Sequence, residues 1–427
     1  MDNVESHLAS NEFKKLQGQK LFLGNQVGCV SSRINVQKYE DFLVKQGAQV
    51  TPTISEADIV LIDTCAFSEY WEKESVKSIQ EYQSKSPTQA KVIVSGCLPV
   101  MDLTKLKNIY QGPYFTPKNE TQLARILDID PEEDKFLAPK APRGRFMNPD
   151  EYSDSSFRIG LLCKVLRFFH RIENYFMLGR LPLIGPLLNA TQYINEKAFA
   201  VNISQGCMGD CSFCVIPMAK GRTQSMPIGS IIDLVREKVT VEKVNKIILS
   251  SEDTGAYGVD IGASIVDLLK HLHLMKEKFY LYILFFDPRW LKLYGEDLIP
   301  ILKQGRVRYL QFPLQSGSNK VLSRMRRSYK IEDVMPIIRK IHKEVPNLTL
   351  QTQIISGFPG ESEEDHQATK KILKEKNFNH AWIFEFSNRK GARTETMEGH
   401  LPIEVIRRRA RELRMASGDY LEISKHR

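Results

Sequence analysis

The chain has 427 residues, a formal net charge of +9, and 42% hydrophobic against 26% charged residues, a balance that folds and leaves room for two or three domains. Seven widely spaced cysteines in a chain this long do not resemble a secreted disulfide scaffold. The polar, acidic opening Met1-Asp2-Asn3-Val4-Glu5 does not look like a signal peptide, and no apolar run reaches the about 18 residues a spanning helix needs, so a reducing cytoplasm is the expected location.

In chain order, residues 1–18 are polar and predict a loose leader or a short first helix. Leu21-Phe22-Leu23-Gly24 starts a strand, with Gly28-Cys29 where it should hand over to a helix over residues 35–45. Residues 59–63 form a nearly continuous apolar run, as in a strand buried on both faces of a parallel sheet, and the run ends at Thr64-Cys65. A helix is predicted over residues 71–79. A third strand over residues 91–95 ends at Gly96-Cys97. Strand, small residue, cysteine, then helix or loop thus occurs three times. Loops at the carboxyl ends of parallel strands crowd one edge of a sheet, so Cys29, Cys65 and Cys97 are predicted to meet as a thiolate triad. The competing outcome is three separately buried cysteines, a common fate of the residue, and their equivalent strand-end placement disfavours it.

Pro139, Pro142 and Pro149, with Arg143, Gly144 and Arg145, predict a linker. Residues 161–188 mix aromatic and aliphatic side chains with Lys164, Arg167, Arg171 and Arg180. They predict a helical hairpin between domains, with a peripheral membrane or partner contact as the second reading. Cys163 has no cysteine companion and reads as structural. The expected organisation is an N-terminal domain over 1–135, linker and insertion over 136–196, and a second domain over 197–427.

The second domain opens on an alternating strand, residues 198–203, that runs into Gly206-Cys207-Met208-Gly209-Asp210-Cys211-Ser212-Phe213-Cys214. Three thiols spaced C-x₃-C-x₂-C select zinc, copper or an iron–sulfur centre and leave a fourth coordination position open. Zinc would want a fourth Cys or His nearby, and His is scarce. Counted from residue 199, strand-like and helix-like segments alternate as about six units, which predicts an α/β fold: a partial (β/α)6 barrel behind a smaller parallel-sheet domain. Phe213 is placed to cover an aromatic cofactor base. Gly357-Phe358-Pro359-Gly360 lies at a strand end where glycines permit close approach to a ligand. Gln315-Ser316-Gly317-Ser318 and Asp253, Thr254 and Tyr257 form further polar strand-end loops. Lys220, Gly221 and Arg222 are candidates for carboxylate or phosphate. On the last predicted helix, from Glu404, Arg407, Arg411 and Arg414 share a face and are candidates to meet an anionic substrate.

Taken together these motifs resemble the radical S-adenosylmethionine methylthiotransferases, which modify tRNA adenosines or a ribosomal-protein aspartate. The signature is Cys207, Cys211 and Cys214 with Phe213, followed by Lys220-Gly221-Arg222. Gly28-Cys29, Asp63-Thr64-Cys65, Glu74-Ser75 and Ser95-Gly96-Cys97 resemble the N-terminal domain of that family. Asp253-Thr254, Pro313-Leu314-Gln315-Ser316-Gly317-Ser318, Met325-Arg326-Arg327 and Gly357-Phe358-Pro359-Gly360-Glu361 add to the likeness. It covers roughly residues 20–105 and 198–418.

The resemblance implies two [4Fe–4S] clusters. Cys207, Cys211 and Cys214 would hold the one whose open iron chelates S-adenosylmethionine, and one electron from it yields a 5′-deoxyadenosyl radical. Cys29, Cys65 and Cys97 would hold an auxiliary cluster that delivers sulfur. Phe213, Asp253, Gln315, Ser316, Gly357, Phe358, Pro359 and Gly360 would line the cofactor. The implied partners are an electron donor such as a flavodoxin or ferredoxin, an unnamed sulfur donor, and a macromolecular substrate. Three features depart from the pattern. The sequence stops at Arg427 where the family usually continues into a small β-barrel domain. Val30-Ser31-Ser32-Arg33-Ile34-Asn35 replaces the usual asparagine and Asp-Ser-Glu. Residues 161–188 have no counterpart. A peptide or protein side chain is therefore the expected substrate ahead of a tRNA adenosine. Sulfur insertion without methylation and a non-catalytic nucleic-acid or peptide binding module stand as further alternatives.

Overall fold

The computed structural model describes residues 15–24, 30–66, 69–129, 144–147 and 198–418. Cys29, Phe67, Cys163, residues 1–14 and the 161–188 segment lie outside the described residues. The chain divides into two compact units, Met1–Ala141 and Pro142–Arg427.

The first unit is built from β1 (Lys20–Gly24), α1 (Val30–Lys45), β2 (Gln49–Val50), β3 (Ile59–Thr64), α2 (Glu69–Lys85), β4 (Lys91–Gly96), α3 (Leu98–Met101), α4 (Leu103–Ile109) and α5 (Gln122–Ile126). Its sheet is parallel in the order β2-β1-β3-β4. Every residue of β3 is buried, because helices cover both faces of the sheet. Ile59 and Leu61 pack with Leu21, Tyr39 and Phe42 on one side, and Val60 and Ile62 pack with Ile79 and Val94 on the other. Each such side chain contributes about 1.5–3 kcal/mol by leaving water, which is why the strand reads as an unbroken apolar run rather than an alternation.

The second unit contains β5 (Gly144–Met147), β6 (Ala198–Asn202), β7 (Ser204–Gln205), α6 (Ile216–Lys220), β8 (Gln224–Ser225), α7 (Ile228–Thr240), β9 (Lys246–Ser250), α8 (Ile265–Leu274), β10 (Tyr280–Ile283) and α9 (Leu291–Lys303). It continues through β11 (Val307–Gln315), α10 (Asn319–Arg324), α11 (Ile331–Glu344), β12 (Thr349–Ser356), α12 (Glu363–Lys374), β13 (His380–Glu385) and α13 (Ile403–Ser417). Six parallel strands run in the order β13-β12-β11-β10-β9-β6, so each strand–helix step adds the next neighbour. β5 adds itself antiparallel to β6 at the open edge. Those four residues were expected in a linker; the flanking prolines hid a short Arg-Phe-Met stretch that pairs on an edge, where prolines are tolerated.

Alternation along the strands decides which face meets the helices. Phe199 and Val201, Ile247 and Leu249, and Leu281 and Ile283 join one core with α7, α8 and α9. The intervening residues turn to the opposite face, where Lys246 sits 5.0 Å over the Tyr282 ring and Tyr282 stacks on Tyr309 at 6.2 Å. No helix among the described residues is long and apolar enough to cross a membrane.

Candidate functional site

The three-cysteine loop leaves β7 through Gly206, whose φ is +85°. A Cβ there would lie 2.3 Å from the Arg222 carbonyl oxygen, so only glycine allows the turn. Glu252 braces the same turn. Its carboxylate accepts from the Gly206 amide at 2.8 Å and pairs with Lys220 at 2.6 Å, both side chains being almost fully buried. Lys220 was a candidate to bind carboxylate or phosphate. Its partner is instead internal, since a buried ammonium is retained only beside an opposite charge.

Each of the three sulfurs receives one N–H. The Gly209 amide donates to Cys207 Sγ at 3.2 Å, Arg327 Nη1 donates to Cys211 Sγ at 3.4 Å, and the Ile216 amide donates to Cys214 Sγ at 3.5 Å. A Cβ placed on Gly209 would touch Cys207 Sγ at 3.2 Å, Arg289 Nη1 at 3.4 Å and Cys211 Sγ at 3.7 Å, which shows how closely two of the thiols and a guanidinium converge. Burial, aided by Asp253, pushes the Cys207 thiol up to about 12. Burial and the neighbouring Cys211 push Cys214 up as well. Both thiols therefore keep their protons at neutral pH until a metal centre displaces them.

Behind the loop lies a charge network that sequence reasoning only partly found. Asp253 had been placed among cofactor-lining residues. Its carboxylate is taken up by Arg289, by Trp290 Nε1 at 2.9 Å and by the Asp287 amide at 3.4 Å. Burial and the adjacent Asp287 raise its pKa, against the pull of Arg289 and Trp290. Arg327 pairs with Asp287 at 2.8 Å and donates to the Pro313 carbonyl at 2.6 Å. Burial opposes the Arg327 charge, but Asp287, Tyr329 and Cys211 outweigh it, and its pKa stands well above the ordinary value. Two carboxylates and two guanidiniums so balance each other beside the thiols. Asp287-Pro288-Arg289-Trp290 carried one signal that was passed over: a charged cluster directly after a predicted strand.

The other expected residues fall as follows. Phe213 packs edge-to-face on Phe358 at 6.3 Å, and Phe358, fully buried, packs on Phe386 at 5.5 Å. Gly357 and Gly360 both have φ of +79°. A Cβ on Gly357 would strike Ile406 of α13 at 2.5 Å, and one on Gly360 would strike Arg324 at 2.8 Å. On the Cβ side of each glycine the close approach is from the protein itself, and Arg324 also holds the Pro359 carbonyl at 2.9 Å. Ser316 Oγ lies 3.3 Å from Thr369 Oγ1 and accepts from the Ser318 amide, which commits it to the turn. Gln315 has φ of +69° and a buried Oε1 without a hydrogen-bond partner. The arginine face of α13 is also partly internal. Arg414 is buried, donates to the Ile383 carbonyl at 2.9 Å and lies 3.7 Å from Glu385. Helical spacing puts Arg414 beside Arg407 and Arg411 but cannot tell which of them the sheet covers.

In the first unit, Cys65 and Cys97 follow β3 and β4 directly. Thr64 and Gly96 are paired in register, and the Cys97 amide donates to the Thr64 carbonyl at 2.8 Å, so the two cysteines leave neighbouring strand ends side by side. Ser75 of α2 brackets Cys65, bonding its amide and its carbonyl at 2.9 Å each. β1, whose strand leads toward Cys29, neighbours β3, and Ser32 in the first turn of α1 donates to Asp63 at the end of β3.

Residues 201–373 match the radical SAM superfamily, and residues 22–113 match the uncharacterized protein family UPF0004. The chain is 27% identical over 390 residues to a probable threonylcarbamoyladenosine tRNA methylthiotransferase of Methanocaldococcus jannaschii, covering 90% of this chain and 79% of that protein. It is 28% identical over 396 residues to the ribosomal protein uS12 methylthiotransferase RimO of Thermotoga maritima, covering 91% and 81%. The chain belongs to the radical S-adenosylmethionine methylthiotransferase family. It is an enzyme of that type, and S-adenosylmethionine and [4Fe–4S] clusters are its cofactors. Its fold resembles the radical S-adenosylmethionine methyltransferase TsrM from Kitasatospora setae, with a TM-score of 0.56 at 14% identity over 86% of this chain and 74% of that one.

Among the described residues, no three ligand-type side chains of the enzyme stand close enough to share a single metal ion. A four-iron cube binds each thiolate to a different iron, so its ligands stand apart. The donor set at Cys207, Cys211 and Cys214 fits such a cube: three soft sulfurs, each with an N–H to spread its charge.

In the enzyme's first unit, Gly96 has φ of +94°, and a Cβ there would sit 2.1 Å from the Thr64 carbonyl oxygen. The Gly96→Ala variant is expected to lose roughly 2–4 kcal/mol by forcing β3 and β4 apart where Cys65 and Cys97 emerge. Thermal unfolding with iron content per chain checks this; an unchanged midpoint would show that the strand ends yield freely.

Proposed function

We propose that the enzyme inserts a methylthio group at an unactivated C–H of a peptide or protein side chain. In this reading Cys207, Cys211 and Cys214 hold the S-adenosylmethionine-binding cluster, and Cys29, Cys65 and Cys97 hold the auxiliary one. When bound, the first group supplies one-electron generation of a hydrogen-abstracting radical and the second supplies the sulfur. The chain's own residues prepare the first site. Gly209, Ile216 and Arg327 donate to the three sulfurs, and Asp253 orients Arg289 beside the loop.

The observation that carries a peptide over a nucleic acid is how little free positive charge α13 offers: of its five arginines, Arg407 and Arg408 are exposed but lie 3.8 and 3.0 Å from Glu385 and Glu412, Arg411 is exposed, and the other two are internal. Arg409 is buried against Glu361 at 2.8 Å and Arg414 is bound to the Ile383 carbonyl. They stabilise the fold and are not offered to a polyanion, which draws its affinity from many exposed cations. Methylthiolation of a tRNA adenosine is the second reading, favoured by the likeness to the Methanocaldococcus jannaschii protein.

Reconstituted enzyme with S-adenosylmethionine and a sulfide source should add CH₂S in mass to a uS12 protein or peptide, while nucleosides from co-incubated tRNA stay unmodified. Methylthioadenosine derivatives without peptide product would decide for tRNA.

A further inference from the structure

The outer surface of the cysteine loop takes no part in the contacts described above. Met208, between the first two cysteines, is 41% exposed, and Met218 of α6 is 48% exposed. Three guanidiniums lie on the same loop. Arg222 donates to the Met208 carbonyl at 3.2 Å. Arg326 and Arg393 both reach Asp210, at 2.6 and 2.9 Å, and remain 50% and 56% exposed. Gly391, two residues before Arg393, lies against Met218, since a Cβ there would meet Met218 Cε at 3.2 Å. These contacts join side chains from separate stretches of the chain into one patch: two exposed methionines, Arg222 on Met208, and Arg326 and Arg393 on Asp210. Glu395, bound to the Gly391 amide at 2.7 Å, adds a carboxylate at its edge and leaves the patch positive.

The inner side of the same loop is tied down. The Ser212 amide and hydroxyl donate to the Met325 and Arg324 carbonyls at 3.0 and 2.8 Å, and the Thr394 amide donates to the Ser212 carbonyl at 3.1 Å. One side of the loop is therefore anchored and the other faces solvent, one residue from Cys207 and from Cys211.

We propose that this patch docks the protein that supplies the electron, a small acidic one-electron carrier of the flavin or iron–sulfur class. The proposal rests on the assignment of Cys207, Cys211 and Cys214 as cluster ligands. A carrier seated on Met208 and Asp210 stands next to two of the thiols. An acidic face matches the arginines, and charge complementarity speeds and orients a short-lived encounter. Flexible thioethers let an apolar contact form with partners of differing detail. Electron-transfer complexes are small and weak, which suits a patch of this size. A polyanion such as RNA draws on the order of 6–10 phosphate contacts, and three guanidiniums do not supply them. In the step itself the carrier loses one electron and the cluster gains one; no bond or proton changes hands across the interface.

The test uses the full chain, reconstituted, with a flavodoxin as the probe. The Met218→Glu/Arg326→Gln/Arg393→Gln variant should bind flavodoxin about tenfold or more weakly at low salt, by calorimetry without turnover. Its 5′-deoxyadenosine formation driven by reduced flavodoxin should fall equally. Iron per chain and the dithionite-driven rate should stay near the parent values, because dithionite needs no docking site. Met218→Lys should act in the opposite direction and tighten flavodoxin binding, which keeps the test decisive if the triple variant folds poorly. Unchanged affinity in both variants overturns the proposal, as does loss of tRNA binding with flavodoxin affinity intact. A parent chain that takes up no iron and yields no 5′-deoxyadenosine with dithionite removes the cluster assignment, and the docking proposal with it.

Discussion

Replacing Cys207, Cys211 and Cys214 together by alanine should lower 5′-deoxyadenosine formation by more than about a thousandfold, ~4 kcal/mol in barrier, and remove about four irons per chain. The Cys65→Ala/Cys97→Ala pair should also cost about four irons, yet leave 5′-deoxyadenosine formation within about twofold and abolish the methylthio product. The separation follows from where the residues lie. Cys65 and Cys97 extend strand ends of the first unit's own sheet, while the C-x₃-C-x₂-C loop is braced by Glu252, Arg327 and Ser212 within the second. Iron analysis, 5′-deoxyadenosine quantification and product mass on the same samples check both halves. Methylthio product from the Cys65→Ala/Cys97→Ala pair would sink the assignment of two roles.

Arg327→Met should destabilise the second unit by about 3–5 kcal/mol, the largest effect expected of a residue that binds no cofactor directly. The guanidinium is buried and serves Cys211 Sγ, Asp287 and the Pro313 carbonyl at once. Removing it leaves the Asp287 carboxylate, itself largely buried, short of its nearest cation. The expected shift in urea midpoint is on the order of 1–2 M. Arg327→Lys should recover only part of the loss, since an ammonium cannot span three acceptors held by a planar fork. Arg327→Met/Asp287→Asn should recover more than either single change predicts, because the unpaired charge is then gone. A midpoint for Arg327→Met within the range of ordinary surface changes, about 0.5 kcal/mol, would mean that Asp287 finds water or Arg289 instead.

Much of the fold was legible because it depends on local pattern. The unbroken apolar runs of β3 and β4 mark strands covered on both faces, and the strand-end cysteines follow from reading where each run stops. The six parallel strands of the second unit are visible as alternation of apolar segments with amphipathic ones. Cys207, Cys211 and Cys214 were legible for the same reason: eight consecutive residues carry the whole proposed ligand set. Helix ends were less so. The apolar pattern alone predicts a short helix over residues 298–303, but α9 begins at Leu291, because the tail of Asp287-Pro288-Arg289-Trp290 already turns into it.

By itself, then, the sequence determined the two cysteine-bearing motifs as candidates and where the strands fall along the chain, since both are written in spacing along the chain. Only the tertiary structure decided what each charge and each glycine is for. Lys220 and Arg414 look like candidates for an anion until Glu252 and the Ile383 carbonyl are found against them. Gly357 and Gly360 must be glycine because Ile406 and Arg324 fill the space a Cβ would need. Arg289 and Arg327 acquire their place beside the thiols from residues about 80 and 116 positions away. A buried charge is defined by its partner, and partners that distant meet only when the sheet has brought its strand ends together.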